Sequence, residues 1–305
     1  PMFELTELEV KKEWPKSQKI KLSVCCITFQ QEKYVGQMIE GILSQKTDFA
    51  YEIIIGEDCS TDSTLQIIKS YQNKFPSIIK IITSEHNVGG MKNLWRVLND
   101  ARGEFISCCE GDDYWIDESK LQSQVEFLEK NPTYSTHIFD CYELINEQLD
   151  ENSSKVRRLN IKTGSINESQ YKKDFYFLLL TACFRNLGDF EFPNYFNKST
   201  SGDALLNMML ASKGKAFVDN SKKVAVYRIH GNGVWSMISA SDKYYESMHS
   251  ALIHAQYLSK HNDSVYLNKL FSVALNTIKQ ISIPLFLTLL MARVFSHIFK
   301  KIPWK

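Results

Sequence analysis

The chain has 305 residues, 44% apolar and 23% charged, enough to bury a substantial core in one large domain or two modest ones. Its 36 basic and 35 acidic residues leave a formal charge of +1, which removes any general electrostatic ground for a nucleic-acid partner. Residues 1–20 are polar and basic and read as a surface arm without the pattern of a signal peptide, and Pro1 before Met2 reads as a tag remnant. A cytoplasmic location is therefore expected. The β-branched, apolar run at 20–29 predicts a buried strand, and Val35, Met38, Ile39 and Ile42 fall at helical spacing. A second strand at 51–55 stops abruptly at Gly56, Glu57 and Asp58. The polar cluster at 60–64 offers N-caps for a helix through Leu65, Ile68 and Tyr71, which Pro76 closes. A third strand is expected at 78–83, then a helix with Met91, Leu94, Trp95 and Leu98 on one face, then a strand at 105–109 running into Glu110, Gly111, Asp112 and Asp113.

Strand and helix alternate throughout this stretch, which predicts a parallel sheet with helices on both faces and ligands beyond the carboxyl ends of its strands. Those ends carry Thr28, Asp58 and the 110–113 cluster. Further on, 146–173 is polar and loop-like, 175–182 is apolar and precedes Arg185, 201–210 opens as a helix, and 224–229 predicts a late strand ending at His230. Beyond about residue 240 the pattern is helical. No fixed-period repeat occurs, which excludes a solenoid.

Seven cysteines include two adjacent pairs, Cys25–Cys26 and Cys108–Cys109, each inside an apolar run. Neighbours on a strand point to opposite faces and pair poorly with each other. The number is odd and no CxxC occurs, so these residues read as reduced core cysteines of a reducing compartment rather than as disulfides or zinc ligands.

Three carboxylates within four residues, directly after a buried strand, repel one another unless a cation or protons offset the charge. Such oxygen-rich clusters suit Mg2+ or Mn2+ bridging to substrate phosphates; the alternative is a solvated turn capping the next helix near 117–120. Together with Ser23-Val24-Cys25-Cys26-Ile27-Thr28-Phe29, Glu57-Asp58-Cys59-Ser60-Thr61-Asp62 and Glu85-His86-Asn87-Val88-Gly89, the segment Glu110-Gly111-Asp112-Asp113 resembles the ordered motifs of the family 2 glycosyltransferases. The likeness runs from Lys21 to about Trp235, with Phe29 and Gln30 where the family has Tyr and Asn, and Glu110 where it has Asp.

That resemblance implies an α/β fold of the GT-A type: a Rossmann-like domain with a mixed, mainly parallel sheet over 1–238, and a helical C-terminal extension over 239–305. It implies an inverting transfer of sugar from a nucleoside-diphosphate donor, with UDP favoured, to a hydroxyl of a glycan or lipid-linked acceptor in bacterial surface polysaccharide synthesis, with Mn2+ or Mg2+ as cofactor. Thr28 and Phe29 would line the nucleotide pocket, and Asp58 would accept from the base while also being placed to cap a helix. Asn87 and Gly89 would shape the donor loop, although Asn87 is equally a turn residue. Glu110 and Gly111 would border the ribose and metal, Asp112 would hold the metal, and Asp113 would assist it or touch the donor sugar. His230 would complete the metal site, or be structural. Arg185 would contact the diphosphate or acceptor. Asp203, in Ser201-Gly202-Asp203, would be the catalytic base, and a plain N-cap is its other reading.

In the extension, 281–292 is strongly apolar but interrupted by Pro284, shorter than the roughly 20 residues that span a bilayer. Trp304 and Lys300, Lys301 and Lys305 follow it. The segment would dock on the inner face of the plasma membrane, pack on the catalytic domain, or form a homodimer contact. Two rival functions are weighed against the transferase. A nucleotidyltransferase would need a Gly-rich basic loop after the first strand, which Thr28-Phe29-Gln30-Gln31-Glu32 lacks; a non-catalytic nucleotide-sugar-binding module would bind donor without turnover.

Overall fold

In a computed structural model of the chain, residues 4–17, 19–153, 162–168, 177–188, 190, 202–230 and 275 are described, with side chains excepted at 202–204. The chain falls into two compact units, one of residues 1–197 and 202–237, the other of 198–201 and 238–305. Of the second unit only Leu275, buried, lies among the described residues.

A short helix α1 (Glu7–Val10), closed by a reciprocal Thr6–Glu9 capping box, precedes the sheet. The first apolar run becomes β1 (Ile20–Thr28), buried on both faces as a parallel inner strand must be. It is followed by α2 (Val35–Leu43), β2 (Ala50–Glu57), α3 (Thr64–Lys74), β3 (Ile79–Thr83), α4 (Gly90–Asp100) and β4 (Phe105–Cys108). Strands β3, β2, β1 and β4 are parallel neighbours in that order. Leu22, Val24 and Cys26 join the apolar cluster of α2, whereas Cys25 turns the other way and its Sγ lies 3.5 Å from the Val97 carbonyl of α4. The adjacent cysteines thus serve opposite faces, as strand geometry requires, and all seven cysteines are free.

The second half of the sheet is less regular. After β5 (Tyr114–Trp115) and α5 (Lys120–Lys130) come β6 (Tyr134–Ile145), β7 (Gln148–Asp150), β8 (Gly164–Ile166), a 3-10 turn (Leu179–Thr181), β9 (Ala182–Arg185), α6 (Gly202–Ala211) and β10 (Lys215–Ile229). β9 joins β4 to β6 with antiparallel pairing on both sides, and β10 runs parallel to β6. β10 therefore points the same way as β4, and its end at Ile229 reaches the edge where β1 and β4 end.

The α/β class and the mixed, mainly parallel sheet match expectation. Three local features do not. The buried strand β6 was not anticipated, because His137, Asp140 and Glu143 break its apolar pattern. Part of the stretch read as loop from 146 instead holds β7 and β8, with Asn146 and Glu147 forming the β6–β7 turn at φ 48° and 63°. Finally, β10 begins nine residues before the predicted 224. The polar segment 219–223 stays in the strand through shifts of register instead of forming a turn.

Candidate donor site

Three strand-end loops are fastened together at the carboxyl edge. Gln30, at φ 55°, accepts on Oε1 from the N–H groups of Thr61 and Asp62, at 2.8 and 3.1 Å. Its own N–H donates to Ser60 Oγ, the N–H of Gln31 donates to Thr64 Oγ1, and that of Glu32 donates to Asp62 Oδ2. Left-handed backbone at non-glycine residues is uncommon and costs on the order of 1–3 kcal/mol. Here the exchange of hydrogen bonds between the β1–α2 and β2–α3 loops offsets it at Gln30. Gln30, where the family has Asn, keeps a structural task that sequence reading had not assigned.

Asp58, buried at the end of β2, accepts from Ser84 Oγ and the Val88 N–H on Oδ1, and from the Gly89 N–H on Oδ2, at 2.8–3.0 Å. Asn87 Oδ1 accepts from the same Gly89 N–H, and Gly89 takes φ 88°, open to glycine at little cost. Asp58 is therefore first the clamp of the β3–α4 loop, and with about four lone-pair positions on a carboxylate one remains for a ligand. Asn87 and Gly89 take part in the hydrogen bonds that hold this loop. Phe29 stands 43% exposed at the rim.

The acidic segment follows β1 rather than leaving it, since the Cys109 and Gly111 N–H groups donate to the Cys25 and Ile27 carbonyls. Gly111 is buried against Thr28 and Gln31. A Cβ there would sit 2.2 Å from Gln31 Oε1 and 2.7 Å from Thr28 Oγ1, and both of these buried oxygens lack a hydrogen-bond partner. A hydrogen-bond donor brought to this edge would satisfy both oxygens. Glu110 is exposed at the rim. Asp112 Oδ2 lies 3.0 Å from His230 Nε2, a pair separated by 118 positions in sequence. The His230 ring also lies against Tyr34, with centroids 5.4 Å apart. No group of three or more His, Cys, Asp or Glu side chains able to hold a metal occurs among the described residues. Asp112 and His230 supply one carboxylate and one imidazole, a donor set that fits a divalent cation whose other ligands are phosphate oxygens and water.

Two placements correct the sequence reading. Asp113 turns inward, only 4% exposed, and accepts from the Arg228 N–H at 2.8 Å, so it does not face a donor sugar. Burial, reinforced by Asp112 and Glu110, holds its carboxyl well above the ordinary carboxylate range. Arg185 pairs with Phe105 at the amino end of β4, because β9 is antiparallel, and donates to the Tyr134 and Leu128 carbonyls. It sits at the opposite end of the sheet from Thr28 and Asp112 and is withdrawn as a diphosphate contact. Asp203 belongs to the first turn of α6, but its side chain lies outside the described residues, as do the segment 231–235 and all of the extension except Leu275.

Arg228 is the site residue that sequence reading missed. Its Nε donates to the Asp112 carbonyl, Nη1 to the Glu147 carboxylate and Nη2 to Gln37 Oε1. These partners lie 81–191 positions away, and no local pattern announces them.

A family model described as Glycosyl transferase family 2 matches residues 23–183, just over half of the chain. An uncharacterized protein of Mycobacterium tuberculosis is 29% identical over 222 residues, which are 70% of this chain and 60% of the relative, so less than two thirds of the relative is spanned. The poly(ribitol-phosphate) beta-N-acetylglucosaminyltransferase TarS of Staphylococcus aureus is 35% identical over 116 residues, 37% of this chain and 19% of TarS. A crystal structure of TarS 1–349 with UDP-GlcNAc superposes with TM-score 0.60 at 19% identity, covering 86% of this chain and 82% of that one. The mannosyltransferase PcManGT from Pyrobaculum calidifontis, solved with GDP-Man and Mn2+, superposes with TM-score 0.55 at 14% identity over 95% of this chain and 86% of that one. Both likenesses are of fold.

Proposed function

The chain belongs to glycosyl transferase family 2, and from that premise we propose that it moves a sugar from a nucleoside-diphosphate donor to a hydroxyl of a glycan or lipid-linked acceptor in surface polysaccharide synthesis, with inversion at the anomeric carbon. The observation that carries this reading is the meeting of Thr28, Gly111, Asp112 and His230 at one sheet edge, from strands far apart in sequence. TarS, named for an N-acetylglucosaminyl transfer to poly(ribitol-phosphate) and solved with UDP-GlcNAc, supports a UDP-sugar and a cell-surface polymer.

In such a transfer the acceptor oxygen bonds to the anomeric carbon from one face as the bond to the diphosphate oxygen breaks on the other. The acceptor proton passes to a base on the attacking side, the task proposed for Asp203. Negative charge then develops on the departing diphosphate, beside Asp112 and His230. A divalent cation held there by these two side chains would neutralise that charge where the transition state needs it most. Imidazole is a poor ligand for Mg2+, so the Asp112–His230 pair favours Mn2+. Thr28 and Gln31, with free buried oxygens beside Gly111, would accept from the nucleoside, and Phe29 would cover the base. Docking of residues 281–305 on an anionic membrane would bring a lipid-linked acceptor to the enzyme.

The test is calorimetric titration of UDP, GDP, dTDP and CDP, with and without Mn2+, on the wild type and on Asp112→Ala. Mn2+-dependent binding of one diphosphate, lost in Asp112→Ala, is expected and names the base of the donor. Binding by none of them sinks the donor-site reading. Binding without sugar release, and with no effect of Asp203→Asn on either, would favour a non-catalytic binding module instead.

A further inference from the structure

We infer that Arg228 is a positioning residue which ties the β6–β7 turn to the Asp112–His230 pair, so that Glu147, at the tip of that turn, sets how tightly the pair holds a divalent cation. The inference rests on the donor-site reading above and gives Arg228 and Glu147 roles that the resemblance does not assign.

The Arg228 side chain is 4% exposed and spends its planar fork on three separate segments of the chain. Nε donates to the main-chain carbonyl of Asp112 at 2.8 Å, the residue whose carboxylate meets His230. Nη2 donates to Gln37 Oε1 on α2 at 2.9 Å, and Nη1 meets both Glu147 oxygens at 2.9 and 2.8 Å. The guanidinium lies 4.4 Å from the ring centroid of Tyr34, the same ring that contacts His230. Its own N–H donates to the Asp113 carboxylate. Arg228 thus grips both members of the acidic pair, one by its carbonyl and one by its carboxylate, and reaches His230 through the backbone two residues on and through Tyr34.

A buried guanidinium needs a counter-charge. Asp112 hydrogen-bonds Arg228 through its carbonyl and Asp113 through the Arg228 backbone N–H, with a further electrostatic pull between Asp113 and Arg228, so the carboxylate hydrogen-bonded to the guanidinium fork is Glu147. Glu147 is 62% exposed, in a left-handed turn residue at φ 63°. If Glu147 loses its charge, the fork is left unbalanced beside the carboxylates of the acidic segment. Asp112 would then be drawn off His230. Groups that orient metal ligands from behind typically change metal affinity by about 10- to 100-fold when altered. A lysine at 228 has one ammonium in place of a fork and cannot hold the Asp112 carbonyl, Gln37 and Glu147 at once.

The experiment is titration of Mn2+ alone, followed by the electron paramagnetic resonance signal of the free ion, on the wild type, Glu147→Gln, Arg228→Lys and Asp112→Asn, with thermal unfolding of each. Mn2+ affinity on the order of tenfold weaker is expected in both Glu147→Gln and Arg228→Lys. Glu147→Gln should still unfold in one cooperative transition, at a midpoint lowered less than in Arg228→Lys, because its amide oxygen keeps an acceptor for the fork. Glu147→Gln binding Mn2+ as the wild type does would overturn the inference even if Arg228→Lys fails to fold, as would a wild type that binds no Mn2+. A wild type that binds Mn2+, with the expected losses in the variants, but no nucleoside diphosphate would uphold the inference while sinking the transferase reading.

Discussion

Gly111 shows how a single missing side chain can define a site. The space its Cβ would take is bounded by Thr28 Cβ at 2.9 Å, Thr28 Oγ1 at 2.7 Å and Gln31 Oε1 at 2.2 Å. Gln31 is long and can swing aside; Thr28, at the end of a buried strand, cannot. Gly111→Ala therefore pushes the acidic segment away from β1, an overpacking that typically costs about 1–3 kcal/mol. If the displaced segment carries that cost, nucleoside diphosphate affinity falls by about tenfold or more, measured by the same calorimetry. Wild-type affinity in Gly111→Ala would mean that the segment is not a wall of the nucleotide pocket. Asp58 predicts differently, since its three acceptor bonds go to the β3–α4 loop. In Asp58→Ala the amides of Val88 and Gly89 should exchange with solvent much faster while those of β1 and β2 do not. Unchanged exchange at Val88 and Gly89 would remove the clamp assigned to Asp58. Sequence made Asp58, Asn87 and Asp112 visible because each sits in a short motif. It could not reveal Arg228, whose partners are all distant, and it misplaced Arg185 because the direction of β9 is not written in the local pattern.

At the scale of elements, the legible half of the fold is the half buried on both faces. β1, β2 and β4 are inner strands with parallel neighbours, so their sequences are dominated by apolar residues, with Ser23 and Glu52 satisfying each other across β1 and β2. β6 and β10 carry buried polar groups that only their neighbours satisfy. The layer of α5, β6 and β9 shows the cost. Lys120, the first residue of α5, is fully buried; its Nζ donates to Gln124 Oε1 at 2.9 Å and lies 4.1 Å from the centroid of Trp115, with two longer contacts to Ser107 Oγ and the Ala182 carbonyl. None of these partners is a carboxylate, and burial lowers its pKa to about 8. Below pH 8 the lysine is charged in both folded and unfolded chains, and the full cost of burying the charge is felt. Between about 8 and its ordinary value the folded chain releases this proton first, so the contribution of Lys120 to stability rises with pH by about 3 kcal/mol. The buried thiols of Cys25, Cys26, Cys108, Cys109 and Cys183, pushed up by burial, act in the opposite sense over the same window, so urea unfolding at stepped pH should show the wild type gaining on Lys120→Met as pH rises, whatever the slope of either curve. Parallel curves for the two proteins would mean that Lys120 keeps its ordinary affinity for the proton. His137, held by burial at about 4, acts at the other end of the scale. It stays neutral in the folded chain while the unfolded chain gains a proton, so stability falls as pH drops from about 6.5 towards 4.

For the whole molecule the distribution of charge matters more than its total. The four basic residues of 281–305, Arg293, Lys300, Lys301 and Lys305, are accompanied by no acidic residue, so the rest of the chain holds 32 basic against 35 acidic residues. A slightly acidic body with a basic, Trp-containing segment would meet an anionic surface through that segment. Each basic residue near such a surface contributes about 1 kcal/mol, and the apolar stretch 281–292 adds burial in the interface. No helix among the described residues is long and apolar enough to cross a membrane, and 281–305 lies outside them, so the expectation rests on sequence and charge. The 305-residue chain should sediment with phosphatidylglycerol vesicles and not with phosphatidylcholine vesicles, and the fraction bound should fall in 1 M salt, where the screening length is about 3 Å. A chain ending at residue 280 should stay in the supernatant while keeping its nucleoside diphosphate affinity. Equal sedimentation of the two chains would assign 281–305 to packing or dimer contact, and salt-insensitive binding of the full chain alone would make the apolar stretch, rather than the lysines, the source of adhesion.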